Sequence, residues 1–200
     1  MRNIFIIHGS NGIPDEQWYP WLRSELQKDK NNNVIVPQFQ IPDREVAGGH
    51  HYSQWRTKLL EYKDKINKDT IFIGHSRGCQ FIMLALTDIG IKNVGGIFLV
   101  APWVQYRWYD SPKNLVDSFH YKVVDWSVLK KVVSHIEIFQ STNDVIPLEE
   151  GLGIAAMLEA HVEIVQNAGH FVITSGYSTF PLLLERVTKF IAESGKLKKL

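Results

Sequence analysis

Apolar positions along the chain follow two rhythms. Short β-branched runs occur at Asn3–His8, Val34–Pro37, Thr70–Gly74, Val94–Ala101, His135–Gln140 and His161–Gln166. Several are nearly continuous in apolar residues, the pattern of strands covered on both faces. Between them lie longer segments with helical spacing: Gln17–Lys28, Ser53–Ile66, Arg77–Ile89, Asp125–Val133, Pro147–Glu159 and Phe180–Glu193. Gln17–Lys28 sets Trp18, Trp21, Leu22 and Leu26 on one side, and Ser53 is placed to cap the second segment. Pro147 stands near a first helical turn, where its missing N–H is harmless. The alternation predicts a three-layer α/β fold with a mostly parallel sheet of about six strands and helices on both faces. With no repeat, linker or low-complexity segment in view, one domain over residues 1–200 is expected.

One stretch breaks the rhythm. Pro102–Tyr121 carries Trp103, Tyr106, Trp108, Tyr109, Phe119 and Tyr121 with no clear period. It follows a strand and would emerge at its carboxyl end, the edge where open α/β sheets bind ligands. Trp103, Tyr106 and Trp108 are therefore candidates for a substrate pocket. Trp18 and Trp21 are candidates too, but their helical spacing favours a place in the core.

Composition narrows the partners. Apolar residues are 44% and charged residues 22%, as in ordinary globular proteins, and the formal net charge is +1. Such a balance gives no basis for binding nucleic acid or an anionic membrane. The terminal Lys196, Lys198 and Lys199 read as a solvated helix end. The single cysteine, Cys79, excludes an internal disulfide and reads as a small buried residue. Ile4–Ile7 is too short for a secretory core or a membrane span, so a cytoplasmic location is expected.

The chemistry is carried by IFIGHSRG, residues 71–78. An apolar strand runs into Gly74-His75-Ser76-Arg77-Gly78 and a helical segment follows, the context of a G-x-S-x-G nucleophile elbow. The turn must be tight enough to lift a serine hydroxyl clear of the sheet, and the flanking glycines remove Cβ atoms that would clash there. The bland alternative is that Ser76 simply caps the helix.

A serine hydroxyl needs a base, and the base needs an orienting acid. Of eight histidines, His170 in Asn167-Ala168-Gly169-His170-Phe171 follows the last strand and suits the base. His75 neighbours Ser76 and should point away from it. His8 ends the first strand and is expected to brace the adjoining loop. His135 and His161 begin strands, at the opposite sheet end, and the adjacent pair His50-His51 lacks a third ligand at metal spacing. Asp144, after the penultimate strand, suits the acid, although it could merely cap the next helix. Asp110, Asp117 and Asp125 are weaker rivals. The chain order Ser76, Asp144, His170 is that of an α/β-hydrolase. An oxyanion hole would take one backbone N–H from Arg77 and one from the glycine-bearing loop His8-Gly9-Ser10-Asn11-Gly12, Ser10 first and Asn11 next. That loop has neither the dinucleotide nor the phosphate-loop signature. No cofactor and no metal is expected.

The segments IIHGSNGIPDEQWYPWLRSEL, IFIGHSRGC, APW, STNDVIPLEEG and NAGHF together resemble the YdeN-type small serine hydrolases, the group that includes the retinoblastoma-binding-protein serine hydrolase. The resemblance covers nearly the whole chain. It implies a compact α/β-hydrolase fold with no large lid domain, with Ser76 as nucleophile, Asp144 as acid and His170 as base. It further implies a small-molecule ester substrate, or an amide in some members. Arg77 departs from the apolar residue common at its position. Its side chain is expected to salt-bridge at the helix start, or else to favour an acidic substrate. Two function classes remain: a metal-independent, carboxylesterase-like hydrolase, and a catalytically silent protein-binding module on a hydrolase scaffold. Thioesterase and acyltransferase chemistry would use the same residues.

Overall fold

The computed structural model describes residues 1–39, 50–104 and 118–197. The elements run β1 Arg2–Ile7, α1 Tyr19–Leu26, β2 Asn32–Ile35, α2 Tyr52–Leu60, β3 Ile71–His75, α3 Arg77–Asp88, β4 Gly96–Val100, α4 Trp126–Val132, β5 Ile136–Ser141, α5 Leu148–Leu158, β6 His161–Val165 and α6 Pro181–Leu197. Short 3-10 turns lie at Lys63–Lys65, Ser118–Tyr121 and Ile173–Ser175. The strands form one sheet in the order β2-β1-β3-β4-β5-β6, and each neighbouring pair is parallel.

Side chains alternate across this sheet and build two cores. Phe5, Ile7, Phe72, Ile97 and Leu99 face a layer with Trp55 of α2, much of α3, Leu129 of α4 and Ile154 of α5. Ile4, Ile6, Ile71, Ile73, Phe98 and Val100 face Tyr19 and Leu22 of α1 and Leu183 and Val187 of α6. The result is the expected three-layer α/β architecture, with no large lid among the described residues. Trp18 is fully buried in the second core while Trp21 is only half-buried, so Trp18 is a core residue.

Three expectations about helix starts need correction. The first helix begins at Tyr19, because Gln17 takes a φ of 55° and Pro20 sits in the opening turn. The second begins at Tyr52, so Ser53 lies inside it; the Tyr52 N–H is met by the Ser118 hydroxyl at 2.8 Å. That helix also ends at Leu60, its last fully buried residue being Leu59, and no residue of the 3-10 turn that follows is buried. The fifth begins at Leu148, with Pro147 as its N-cap, so the proline stands near the first turn as expected but one residue before the helix.

The order of strands positions the site. β1 connects outward to β2, whereas β3 begins the run toward β6, so the winding reverses between β1 and β3. A crevice opens at the carboxyl ends of strands on either side of such a reversal. Ile7 is paired with Gly74 at that point. The loop His8–Gly12 therefore leaves one side of the crevice, and the Ser76 turn leaves the other.

Candidate active site

Ser76 sits between β3 and α3 with φ 52° and ψ −120°, a sparsely populated conformation for a residue with a Cβ. The surroundings hold it there. The Ser76 N–H donates to the Val100 carbonyl at 2.8 Å, and the Cys79 N–H donates to the Ser76 carbonyl at 2.9 Å. Glycine is required on both sides. A Cβ on Gly78 would lie 2.2 Å from the Ile7 carbonyl oxygen, and one on Gly74 would lie 2.9 Å from the Cys79 nitrogen. Helix α3 thus presses its first turn onto the end of β1. Ser76 precedes the helix by position, yet its side chain makes no capping bond. Cys79 is buried, with its thiol directed at the Val100 carbonyl, and burial pushes its pKa well up. It is a packing residue.

His170 lies on the loop after β6. Its Nδ1–H donates to Asp144 Oδ1 at 2.7 Å, which leaves Nε2 as the ring's acceptor. The Asp144 side chain is wholly buried, and that of His170 retains 21% exposure. Asp144 Oδ1 also accepts from the Ile146 N–H at 2.9 Å, so the turn before α5 and the imidazole share one carboxylate oxygen. Asp144 thus meets His170 as the sequence suggested, but it does not cap α5, whose N-cap is Pro147 with no side-chain bond; it tightens the turn before the helix instead. Asp125, by contrast, is the N-cap of α4, its carboxylate accepting from the Val128 N–H. Asp110 and Asp117 lie outside the described residues.

Sequence reasoning missed how the His170 loop is held. Thr142 Oγ1 accepts from the Asn167 N–H at 3.0 Å, Ser141 Oγ from the Ala168 N–H at 3.0 Å, and Asn143 Oδ1 from the Gly169 N–H at 2.7 Å. With Asp144 on His170, four successive residues from the end of β5 onward grip four successive residues after β6. Ser141 also donates its hydroxyl to Asn143 Oδ1 at 2.9 Å, so two of these contacts brace one another. Asn167, Gly169 and Phe171 all take positive φ, which lets the loop present its amides to these side chains.

A second set of ties comes from the other side. His75 Nε2–H donates to the His170 carbonyl at 2.9 Å, and its Nδ1 accepts from the Tyr19 hydroxyl at 2.7 Å. The His75 and His170 rings lie 5.0 Å apart. Trp18 Nε1–H donates to the Phe171 carbonyl at 3.1 Å. The residue next to Ser76 therefore fastens the backbone of His170. Burial, reinforced by the nearby His170, drives the His75 pKa down to about 3, against the opposing pull of the His170 carbonyl. His75 is a neutral spacer.

The loop after β1 closes the site. His8 braces it as expected: Nδ1–H donates to the Gly9 carbonyl at 2.9 Å, and Nε2 accepts from the Phe39 N–H at 3.1 Å. Both nitrogens are thus committed in the neutral ring, and burial lowers the His8 pKa. Gly9 lies against the elbow, where an added Cβ would stand 3.2 Å from Ser76 Cβ. The Gly12 N–H donates to the Gly9 carbonyl at 3.2 Å, and Asn11 takes a φ of 56°, so Ser10 and Asn11 form the tip of a tight turn. Arg77 is nearly buried. Its Nε–H donates to Ser10 Oγ at 2.7 Å, and its guanidinium lies 5.2 Å from the Trp103 ring and 5.1 Å from that of Phe119. Trp103 is therefore beside the site, while Tyr106 and Trp108 lie outside the described residues. His50, edge-on to Trp55, is also buried; desolvation and then the charge of Arg77 lower its pKa to about 3.

A family model described as serine hydrolase matches residues 4–189. The chain belongs to the serine hydrolase family. YdeN of Bacillus subtilis (strain 168) is 24% identical over 196 residues, a match spanning 96% of this chain and 97% of that protein. The crystal structure of YdeN superposes with a TM-score of 0.84 at 22% identity, over 96% of this chain and 100% of that one. Est1E from Butyrivibrio proteoclasticus superposes with a TM-score of 0.69 at 16% identity, over 96% and 87% of the two chains. A structure reported for LipS and LipT, two metagenome-derived lipolytic enzymes, gives 0.74 at 16% identity, over 96% and 94%. The fold and the family are those the sequence motifs implied, and the chain is a hydrolase. Among the described residues no helix is long and apolar enough to cross a membrane.

Proposed function

We propose that this hydrolase cleaves a small carboxyl ester through an acyl-Ser76 intermediate, as a metal-independent, carboxylesterase-like enzyme. The observation that carries the reading is the Asp144–His170 pair, closed at 2.7 Å on a loop fastened to the residue beside Ser76. Beside Ser76, such a pair is suited to general-base catalysis. The carboxylate fixes the imidazole with Nε2 free, so that Nε2 can accept the Ser76 proton as Oγ attacks the acyl carbon. The carbonyl electrons move onto oxygen, and the N–H groups of Arg77 and of Ser10 or Asn11 receive that charge. The positive end of α3 adds to the field. The intermediate collapses as His170 returns its proton to the departing alkoxide. Water then gives up a proton to His170, attacks the acyl group and frees the acid and Ser76. Trp103, buried beside Arg77, would contribute to the acyl pocket. The lipolytic neighbour, reported as widening the known lipase and esterase families, is in keeping with an ester substrate.

A fluorophosphonate probe tests the assembly, because phosphonylation needs an activated Oγ and a held phosphoryl oxygen together. Intact-mass spectrometry and peptide mapping should show one adduct per chain, on Ser76, and none on Ser76→Ala. Folded native protein that takes no adduct, under conditions that label a control hydrolase, would mean a silent scaffold.

A further inference from the structure

Arg77 does more than contribute its backbone amide. Its side chain leaves α3 beside Ser76 and turns toward the loop after β1, where Nε–H meets the Ser10 hydroxyl at 2.7 Å. The guanidinium lies between the faces of Trp103 and Phe119, with ring centroids at 5.2 and 5.1 Å. An arginine has substantial rotamer freedom to lose on being fixed. Two aromatic faces and near-complete burial remove that freedom before any substrate arrives, and cation–π attraction compensates part of its cost. Ser10 is its opposite in character. It is exposed, at the tip of a turn between Gly9 and Gly12, with Asn11 at positive φ behind it. His8 and the Gly12–Gly9 bond hold the base of this turn, but its tip is exposed, and the buried cation reaches that tip at the Ser10 hydroxyl.

We propose that the Arg77 side chain is a positioning residue that sets the place of the Ser10 amide, and hence the spacing of the two oxyanion donors. One residue would then supply the first donor through its backbone and locate the second through its guanidinium. The inference rests on the reading of Ser76 as nucleophile. It goes further by giving the arginine of the elbow a task in the reaction that an apolar side chain there could not perform.

The test is a double-mutant cycle on Ser10→Ala and Arg77→Met, read with p-nitrophenyl acetate and with the rate of fluorophosphonate inactivation. Deleting an oxyanion donor outright commonly costs 10²–10³ in kcat. Here the donor is loosened rather than deleted, so each single variant should lose about 10-fold in kcat with little change in KM. Inactivation should slow in parallel. The double variant should lose no more than either single one, since both remove the same tie. Ser10→Thr, which keeps the hydroxyl, should restore the rate. Ser10 is on the surface, so Ser10→Ala and Ser10→Thr remain informative even if Arg77→Met folds poorly. A purely structural arginine would lower the melting temperature and leave the kcat of Ser10→Ala at the wild-type value. That result, or multiplying losses in the double variant, would overturn the proposal. If Ser76→Ala itself kept its turnover, the nucleophile assignment would fall instead.

Discussion

Acid should strike this fold through its buried histidines, and His75 gives the cleanest measure. The ring is enclosed between α1, the elbow and the His170 loop. Its Nδ1 is taken by the Tyr19 hydroxyl and its Nε2–H by the His170 carbonyl. Protonation would add a second N–H at Nδ1 with a hydroxyl facing it, in a buried site 5.0 Å from another imidazole. The pKa accordingly falls from 6.5 to about 3, mainly by burial and next by the charge of His170. In the unfolded chain the same ring takes a proton near 6.5. Between those two values the unfolded state holds a proton that the native state refuses, so stability is present in full above 6.5 and is lost as pH falls toward 3. The slope is about 1.4 kcal/mol per pH unit. From pH 6.5 to 5 His75 alone removes about 2 kcal/mol. His50, lowered to about 3 by burial, adds a loss of the same order. Against a typical total of ~5–15 kcal/mol the sum is a large fraction.

The window above pH 5 is useful because unfolded carboxylates titrate mostly below it. Urea unfolding of the wild type and of His75→Gln, at steps from pH 7.5 to 5, isolates the effect. Glutamine can still reach the His170 carbonyl with an N–H but cannot titrate. The variant should be the less stable protein at pH 7.5, and its disadvantage should shrink by about 2 kcal/mol on reaching pH 5. Parallel stability curves for the two proteins would refute the account of His75 as a buried neutral ring.

Other outcomes follow from the same contacts. Asp144→Asn should leave the fold intact and lower kcat by about 10⁴, since an amide admits the wrong imidazole tautomer. Asn143→Ala, which frees the Gly169 N–H, should cost about 10-fold in kcat and no more than about 1 kcal/mol in stability. Steady-state kinetics and thermal melts decide both, and a wild-type rate in either would break the link to His170. Gly78→Ala should destabilise by at least about 3 kcal/mol, because the new Cβ would sit 2.2 Å from the Ile7 carbonyl oxygen and backbone cannot step aside as a side chain can. Urea unfolding at neutral pH measures it, and normal stability would contradict the close approach of α3 to β1.

What the sequence disclosed depended on how far each signal reached along the chain. The elbow was legible because everything it needs lies within residues 71–78: a β-branched strand, two glycines at close approaches and a helix start. His8 was legible as a brace for the same reason, its Nδ1 bond reaching only the next residue. The helix starts at Tyr19 and Tyr52 were not legible. One depends on a positive φ at Gln17, the other on a hydroxyl 66 residues away at Ser118. Arg77 was read as a partner for a charge at the helix start or in an acidic substrate; its contacts with the Ser10 hydroxyl and with the rings of Trp103 and Phe119, brought in from separate loops, were not legible. His75 was expected only to turn from Ser76; that it ties down the His170 backbone needed the third dimension.

The grip on the His170 loop shows why register matters more than loop sequence. Ser-Thr-Asn-Asp and Asn-Ala-Gly-His are ordinary turn compositions, and either would pass as a solvated connection. They meet because β5 and β6 are paired in parallel with Ser141 opposite Val165. Where backbone pairing ends, the side chains of 141–144 continue it onto the amides of 167–169 and the ring of His170. A slip of one residue between the strands would turn every β6 side chain to the other face and set each polar group against the wrong amide. The apolar residues of β5 and β6 that fix this register therefore also fix where the proposed base stands relative to Ser76. In this fold the hydrophobic pattern of an edge strand does part of the work of the active site.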